Sequence, residues 1–259
     1  MKAMKAMKSH SNYLWLFLLL PLFVACDNFD DDYNGYSNYN YRIDIATVQN
    51  PTLTSTFSFL LDNNKLYQVT QSNDPTFIPA DGQRIIANYT VLSVTKVDST
   101  YTRKARLNDA SVVLTKNIFK ITPATQDSIG HDSITIKDMW IGNDYLNIEF
   151  AYFGNNKTHF INLVSDASKT YTDGKTHLEF RHKGNGDLPT YYSRGIVSFK
   201  LKSLQTGATG NVLNLAIHVK VPYQTAEKMY DIPYYFGSTT TLYGASDYNT
   251  LMKGVHNVH

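Results

Sequence analysis

Four histidines in the second half of the chain, His159, His177, His182 and His218, fall in segments rich in strand-forming residues, with Asp138 and Asp187 as carboxylates that could approach them. Two imidazoles and a carboxylate are enough for a metal site or an acid–base pair. Spacing alone does not assemble one: side chains alternate along a strand, so His177 and His182 point to opposite faces. The residues therefore read as cross-strand hydrogen-bonding groups. His256 and His259 close the sequence, where a disordered terminus accounts for them.

Other chemistry is missing from the sequence. It has no Gly-x-Ser-x-Gly elbow, no His-Glu-x-x-His, no phosphate-binding loop and no dinucleotide fingerprint. Gly184-Asn185-Gly186-Asp187 reads as a turn, because no helix follows to cradle a phosphate. The expectation is a protein without catalytic residues, cofactor or metal. Trp140 reads as a core residue of a β-sandwich. Tyr191, Tyr192, Tyr230, Tyr234 and Tyr235, with Tyr33, Tyr36, Tyr39 and Tyr41 upstream, are good strand residues that could also stack on sugars or proteins where exposed.

The elements that must position these residues are strands. Thr, Val, Ile, Tyr and Phe recur in short alternating runs separated by Asn, Asp and Gly. Tyr41 to Val48 reads as a first strand, and Thr54 to Leu61 turns at Asp62-Asn63-Asn64 into Lys65 to Thr70. Arg84 to Val94 and Ala110 to Thr115 follow, with the polar stretch from Asp98 to Asn108 as a loop or edge hairpin. No amphipathic helix interrupts this half. The polar break from Thr122 to His131, punctuated by Pro123 and Gly130, is the best internal boundary. Beyond it, Ser133 to Ile141 leads through Gly142-Asn143-Asp144 into Tyr145 to Phe153, and Gly154-Asn155-Asn156 predicts a hairpin into Lys157 to Val164. His177 to His182, Ile196 to Leu201 and Val212 to Val221 complete about seven strands, the number of a sandwich. In the last of them Leu213, Leu215, Ile217 and Val219 face in, and His218 faces out. After Pro222 the chain reads as irregular.

The N-terminus is an address. Lys2, Lys5 and Lys8 precede an apolar run from Leu14 to Ala25. As a helix that run spans about 18 Å, short of the ~30 Å hydrocarbon core, so it fits a signal peptide and not a permanent span. Phe23-Val24-Ala25-Cys26 follows and resembles the lipobox of bacterial lipoproteins, with Phe23 where Leu is usual. The resemblance implies cleavage before Cys26 and acylation of that residue, which is the only cysteine. Several acyl chains hold a protein stably where a single one does not. Asp27, Asp30, Asp31 and Asp32 come next and resemble the surface-export signal of lipoproteins in some Gram-negative anaerobes. The same segment also has the composition of a solvated tether.

Removing residues 1–25 takes away three of the 24 Lys+Arg and none of the 22 Asp+Glu, leaving 21 against 22 and a net charge of −1. A near-neutral chain gives no electrostatic case for nucleic acid. With Cys26 acylated, no thiol remains for a disulfide or a cysteine-based metal site.

In the second half, Asp138-Met139-Trp140-Ile141, Tyr145 to Phe150, His159 to Val164, Leu178 to His182 and Gly195 to Phe199 stand in an order that resembles the NigD-like lipoproteins, and Gly82 to Tyr89 is similar to the first domain of that family. The resemblance implies an all-β chain: a signal peptide (1–25), a tether (26–40), an OB-like barrel (41–124), a β-sandwich (125–222) and an irregular tail (223–259). It implies a lipid-anchored protein of the cell envelope and supplies no catalytic mechanism. Outer-membrane attachment is the expectation from the lipoprotein start, and exposure on the surface rests on the acidic residues after Cys26 alone, so the membrane face stays open. Three functions are open: an envelope binding or assembly module, an accessory or immunity factor in a bacteriocin system, and a glycan-binding surface lipoprotein. The expected partners are the membrane, through the lipid, and an envelope protein or glycan. Asp127-Ser128-Ile129 and Asp132-Ser133-Ile134 resemble three-residue O-glycosylation sites of the same envelope system, on Ser128 and Ser133.

Overall fold

The computed structural model describes residues 41–53 and 56–237. The signal peptide, Cys26, Asp27, Asp30, Asp31, Asp32, Tyr33, Tyr36, Tyr39 and the terminal His256 and His259 lie outside the described residues. The described chain is all-β, and it forms a closed barrel followed by a two-sheet sandwich.

The barrel consists of β1 (Tyr41–Leu53), β2 (Thr56–Leu61), β3 (Leu66–Ser72), β4 (Arg84–Val97) and β5 (Thr100–Val112), closed in the order β1-β2-β3-β5-β4. Its parallel β3–β5 pairing and its antiparallel neighbours give the OB-like topology. Alternation along each strand sends Val48, Phe59, Ile85, Tyr89 and Leu107 inward. The Tyr89 ring lies 5.0 Å from both Phe59 and Tyr67, and its hydroxyl donates to Asp44 Oδ2 at 2.9 Å, so the barrel buries a phenol without orphaning its proton. The polar stretch that reads as a loop or edge hairpin is the body of β5. Its charged residues fit a strand because before Lys104 it pairs only with β4 among the described residues.

The sandwich has one sheet in the order β14-β13-β11-β10-β7 and another in the order β6-β12-β9-β8. The larger sheet holds β7 (Phe119–Ile121), β10 (Phe160–Asp166), β11 (Thr176–Lys183), β13 (Val212–Val219) and β14 (Lys228–Tyr235). The smaller holds β6 (Leu114–Asn117), β8 (Thr135–Gly142), β9 (Tyr145–Gly154) and β12 (Tyr191–Lys200). Ile148, Phe150, Leu163, Phe180, Phe199 and Ile217 interdigitate between them.

Three expectations differ from this arrangement. Strands β6 and β7 precede the polar break yet bond to β12 and β10, so the chain passes from barrel to sandwich at Val113 and not at residues 124–125. The polar break instead carries one short helix, α1 (Gln126–Ile129). The second difference is that β9 and β10 are not a hairpin: β9 pairs with β8 and β12, and β10 with β11 and β7, in the opposite sheet. Gly154-Asn155-Asn156 is a corner between sheets, which uses the same turn residues as a hairpin. The Asp187 carboxylate fixes it by accepting the Asn155 and Asn156 N–H groups. The third concerns the tail, where residues 228–235 form the edge strand β14, with Tyr234 buried and donating to Asp144 at 2.7 Å.

Barrel and sandwich meet over a buried polar seam. Arg84 at the start of β4 makes a bidentate pair with Asp62 in the β2–β3 turn, at 2.6 and 2.9 Å, and donates to Asn147 of β9 at 2.8 Å. Trp140 Nε1 and Asn147 Nδ2 each donate to Asp62 Oδ2 at 3.0 Å, and Ser198 donates to Asn147. Trp140 therefore is buried at this seam and not inside the sandwich, packed with Ile45, Ile86, Val113 and Ile196. The two-residue turn Asn143-Asp144, both at positive φ as a tight hairpin requires, sets Asn143 Nδ2 against the Leu61 carbonyl. Gly142 leaves room for this approach, since a Cβ there would stand 2.4 Å from the Asp62 side chain.

Arg84 and Asp62 have side-chain exposures of 0% and 5%, so removing one partner strands a buried charge. Asp62→Ala is expected to cost about 3–5 kcal/mol in urea unfolding, and Asp62→Leu combined with Arg84→Met much less. A cost under 1 kcal/mol for the single variant contradicts the buried pair.

Candidate functional site

The histidines that the sequence scatters come together as two groups on opposite faces of the larger sheet. One group lies at the end of the sandwich interior. His159, immediately before β10, places Nε2 3.1 Å from Asp187 Oδ2 and Nδ1 2.8 Å from His182 Nε2, and His182 Nδ1 faces the Ser133 carbonyl at 3.1 Å. The Tyr152 ring packs on His159 at 4.3 Å. Gly154 and Gly184 make space for the imidazoles: a Cβ at Gly154 would stand 2.8 Å from His159 Nε2. His177 and His218 form the second group with Asp173, on the outer face. Asp138 joins neither, and caps the N–H of Met139.

The interior relay ends on a carboxylate and on a carbonyl, both pure acceptors, which accept from His159 Nε2 and His182 Nδ1. The Asp187 carboxyl is held well below its usual range by the Asn155 N–H, with His159 adding to the effect. Burial lowers the His182 imidazole, so the relay resists protonation. The group is a buried clasp for the β9–β10 corner.

A second feature faces solvent and was not legible as a site. Among the described residues, beyond Thr90, the last β4 partner of β1, and before Lys104, the first β5 partner of β3, β4 and β5 bond only to each other. They leave the barrel as a two-stranded ribbon turning at Asp98, whose φ is 54°. Leu92, Val94, Val97 and Tyr101 are exposed on it, at 42, 49, 64 and 41%. Lys96 and Arg103 flank the Tyr101 ring, at 5.2 and 4.8 Å from its centroid. The sequence signal available was the alternation continuing past Thr90 on both sides of Asp98.

Of the other candidate residues, Ser128 and Ser133 are both exposed around the α1 segment, with the Ser128 hydroxyl donating to the Thr125 carbonyl. Tyr191, Tyr192 and Tyr235 are exposed, Tyr230 is half-buried, and Tyr192 meets the exposed Phe153 edge to face at 5.5 Å.

Residues 45–113 match the family described as the NigD-like N-terminal OB domain, and residues 117–234 match the NigD-like C-terminal beta sandwich domain. A protein of unknown function from Bacteroides vulgatus is similar in structure at 30% identity and a TM-score of 0.65, over 80% of this chain and 96% of that one. A protein from Parabacteroides distasonis, provisionally described as toxin-related, is 30% identical with a TM-score of 0.64, over 76% and 94%. A NigD-like immunity protein from Bacteroides caccae shares the fold at 18% identity and a TM-score of 0.56, over 78% and 100%. No curated protein matches the chain.

A histidine whose folded value is lowered binds its proton more readily in the unfolded chain, so its contribution to stability is lost as pH falls below about 6.5. The protein is expected to lose stability between pH 7.5 and 5.5. His182→Gln should flatten that slope by up to about 1.4 kcal/mol per pH unit, the effect of one proton. An unchanged slope in urea titrations would mean that His182 is not the group that refuses the proton.

Proposed function

The chain belongs to the NigD-like family, and from that membership we propose that it is a lipid-anchored envelope protein, without catalytic activity, that binds an acidic partner protein through its β4–β5 ribbon. The observation that carries this reading is a ribbon that stands clear of the barrel with apolar side chains on it. A soluble barrel gains nothing in stability from Leu92, Val94 and Val97 in water. Among the described residues, both ribbon edges also leave backbone groups unpaired, available for strand addition. Between residues 92 and 106 the charges are Lys96, Arg103, Lys104 and Arg106 against Asp98, which favours an acidic surface opposite. The lipid on Cys26 would hold this arm near the membrane, and Asp27, Asp30, Asp31 and Asp32 would direct it to the cell surface.

A second reading is an immunity role, favoured by the shared fold with the protein described as a NigD-like immunity protein. In that case the acidic partner is a toxin. A glycan reading would use the Phe153–Tyr192 pair instead.

Two measurements test the proposal. Detergent phase partitioning should place the wild type with the membrane lipids and Cys26→Ala in the aqueous phase; equal partitioning contradicts the anchor. A photoreactive residue at Val97 or Tyr101 should give one discrete protein adduct in cells, absent when it is placed at exposed Lys202 and lost on Arg103→Glu/Lys104→Glu. An adduct from Phe153 and none from the ribbon would favour the glycan face and overturn the ribbon assignment.

A further inference from the structure

The outer face of the larger sheet would ordinarily be wetted, yet it buries a carboxylate. Glu179 on β11 stands beside His218 on β13, both pointing away from the core, and Glu179 is only 3% exposed. A strap crosses this face after α1: the Asp132 N–H donates to the His182 carbonyl and the Ile134 N–H to the Lys220 carbonyl. The strap carries His131 over Glu179, while the approach to β14 brings in Glu227. One donor atom each from His131, Glu179 and Glu227 lie within 4.8 Å of one another.

Hydrogen-bond direction makes this convergence unusual. His177 Nε2 faces Asp173 at 2.8 Å and donates to it; in a neutral ring His177 Nδ1 is then the acceptor for the His218 Nε2–H, also at 2.8 Å. The Tyr171 ring lies flat on His177 at 3.5 Å and fixes its orientation. His218 Nδ1 is then left with a lone pair aimed at Glu227 Oε2, 3.6 Å away, too far for a hydrogen bond and acceptor against acceptor. Two donors on one tetrahedral ion with bonds of about 2.0–2.1 Å lie about 3.3 Å apart, close to this separation. The other Glu227 oxygen is 2.9 Å from His131 Nε2. The remaining His131 nitrogen is buried and has no hydrogen-bond partner among the described residues.

We propose that His131, Glu179 and Glu227, flanked by His218, form a binding site for a first-row divalent metal ion, with zinc as the best match. Imidazole nitrogen selects against calcium and magnesium, and a mixed imidazole–carboxylate set with no thiolate suits zinc. Asp173 and His177 stand behind His218 as the outer partners that orient a ligand imidazole. Lys169 and Arg181 already pair with Glu179. Arg181 is buried, but the Lys169 side chain is 41% exposed, on the turn after β10, and can swing out. The site is thus one in which zinc and the Lys169 ammonium compete for one Glu179 oxygen.

The test is calorimetric titration of the full chain with Zn2+, in a background carrying His256→Ala and His259→Ala so that the terminal histidines do not contribute. One ion per chain is expected with a Kd in the micromolar range or tighter. Glu227→Gln and His131→Ala should each weaken it at least about tenfold, and His159→Ala, in the interior relay, should leave it unchanged. Lys169→Met should tighten binding by about three- to tenfold by removing the competing cation, a gain that no loss of folding can mimic. Circular dichroism confirms that each variant is folded. Absence of a one-to-one site, or a site indifferent to Glu227→Gln and His131→Ala in folded protein, overturns the proposal.

Discussion

The Asp62 carboxylate collects donors from both halves of the molecule: two from Arg84 within the barrel, and one each from Trp140 and Asn147 of the sandwich. Neither Asp62 nor Arg84 could be buried alone, since an isolated charge at that depth costs several kcal/mol. The barrel supplies the ion pair, and the smaller sheet supplies the neutral donors that complete it. The β8–β9 turn must therefore sit against the β2–β3 turn, and Gly142 is the residue small enough to let it. From this constraint follow the burial of Trp140 between the two halves and the passage of the chain at Val113.

The same logic recurs at the other end of the sandwich. Asp187 accepts hydrogen bonds from the N–H groups of the β9–β10 corner and from His159, so a turn that could have closed a hairpin carries the chain to the opposite sheet. Buried polar groups in this protein are placed where the chain changes sheet or domain, positions that alternation of apolar residues does not specify. The strands supply the cores, and the polar groups specify the connections.

Strand content was legible because alternation is local. Leu213, Leu215, Ile217 and Val219 face the core as their spacing requires, and the opposite orientations of His177 and His182 follow from parity alone. Pairing was less legible. Nothing in Gly154-Asn155-Asn156 distinguishes a hairpin from a corner between sheets, because the deciding group, Asp187, lies some thirty residues further along. The relays were hidden for the same reason: His159 meets His182 only once β10 and β11 are neighbours. Arg84, Trp140 and Asn147 all fall within the segments that carry the family resemblance, yet their meeting point is a property of the tertiary structure. The NigD-like match states the architecture, and the ribbon, the clasp and the His131–Glu227 face are what the fold adds to it.

The Asp62 seam makes barrel and sandwich a single cooperative body. Differential scanning calorimetry of the wild-type protein tests it most directly. One transition is expected, with calorimetric and van't Hoff enthalpies that agree. Two resolved transitions, with Trp140 fluorescence changing in neither or only before both, would show that the two domains fold independently and that the seam does not couple them.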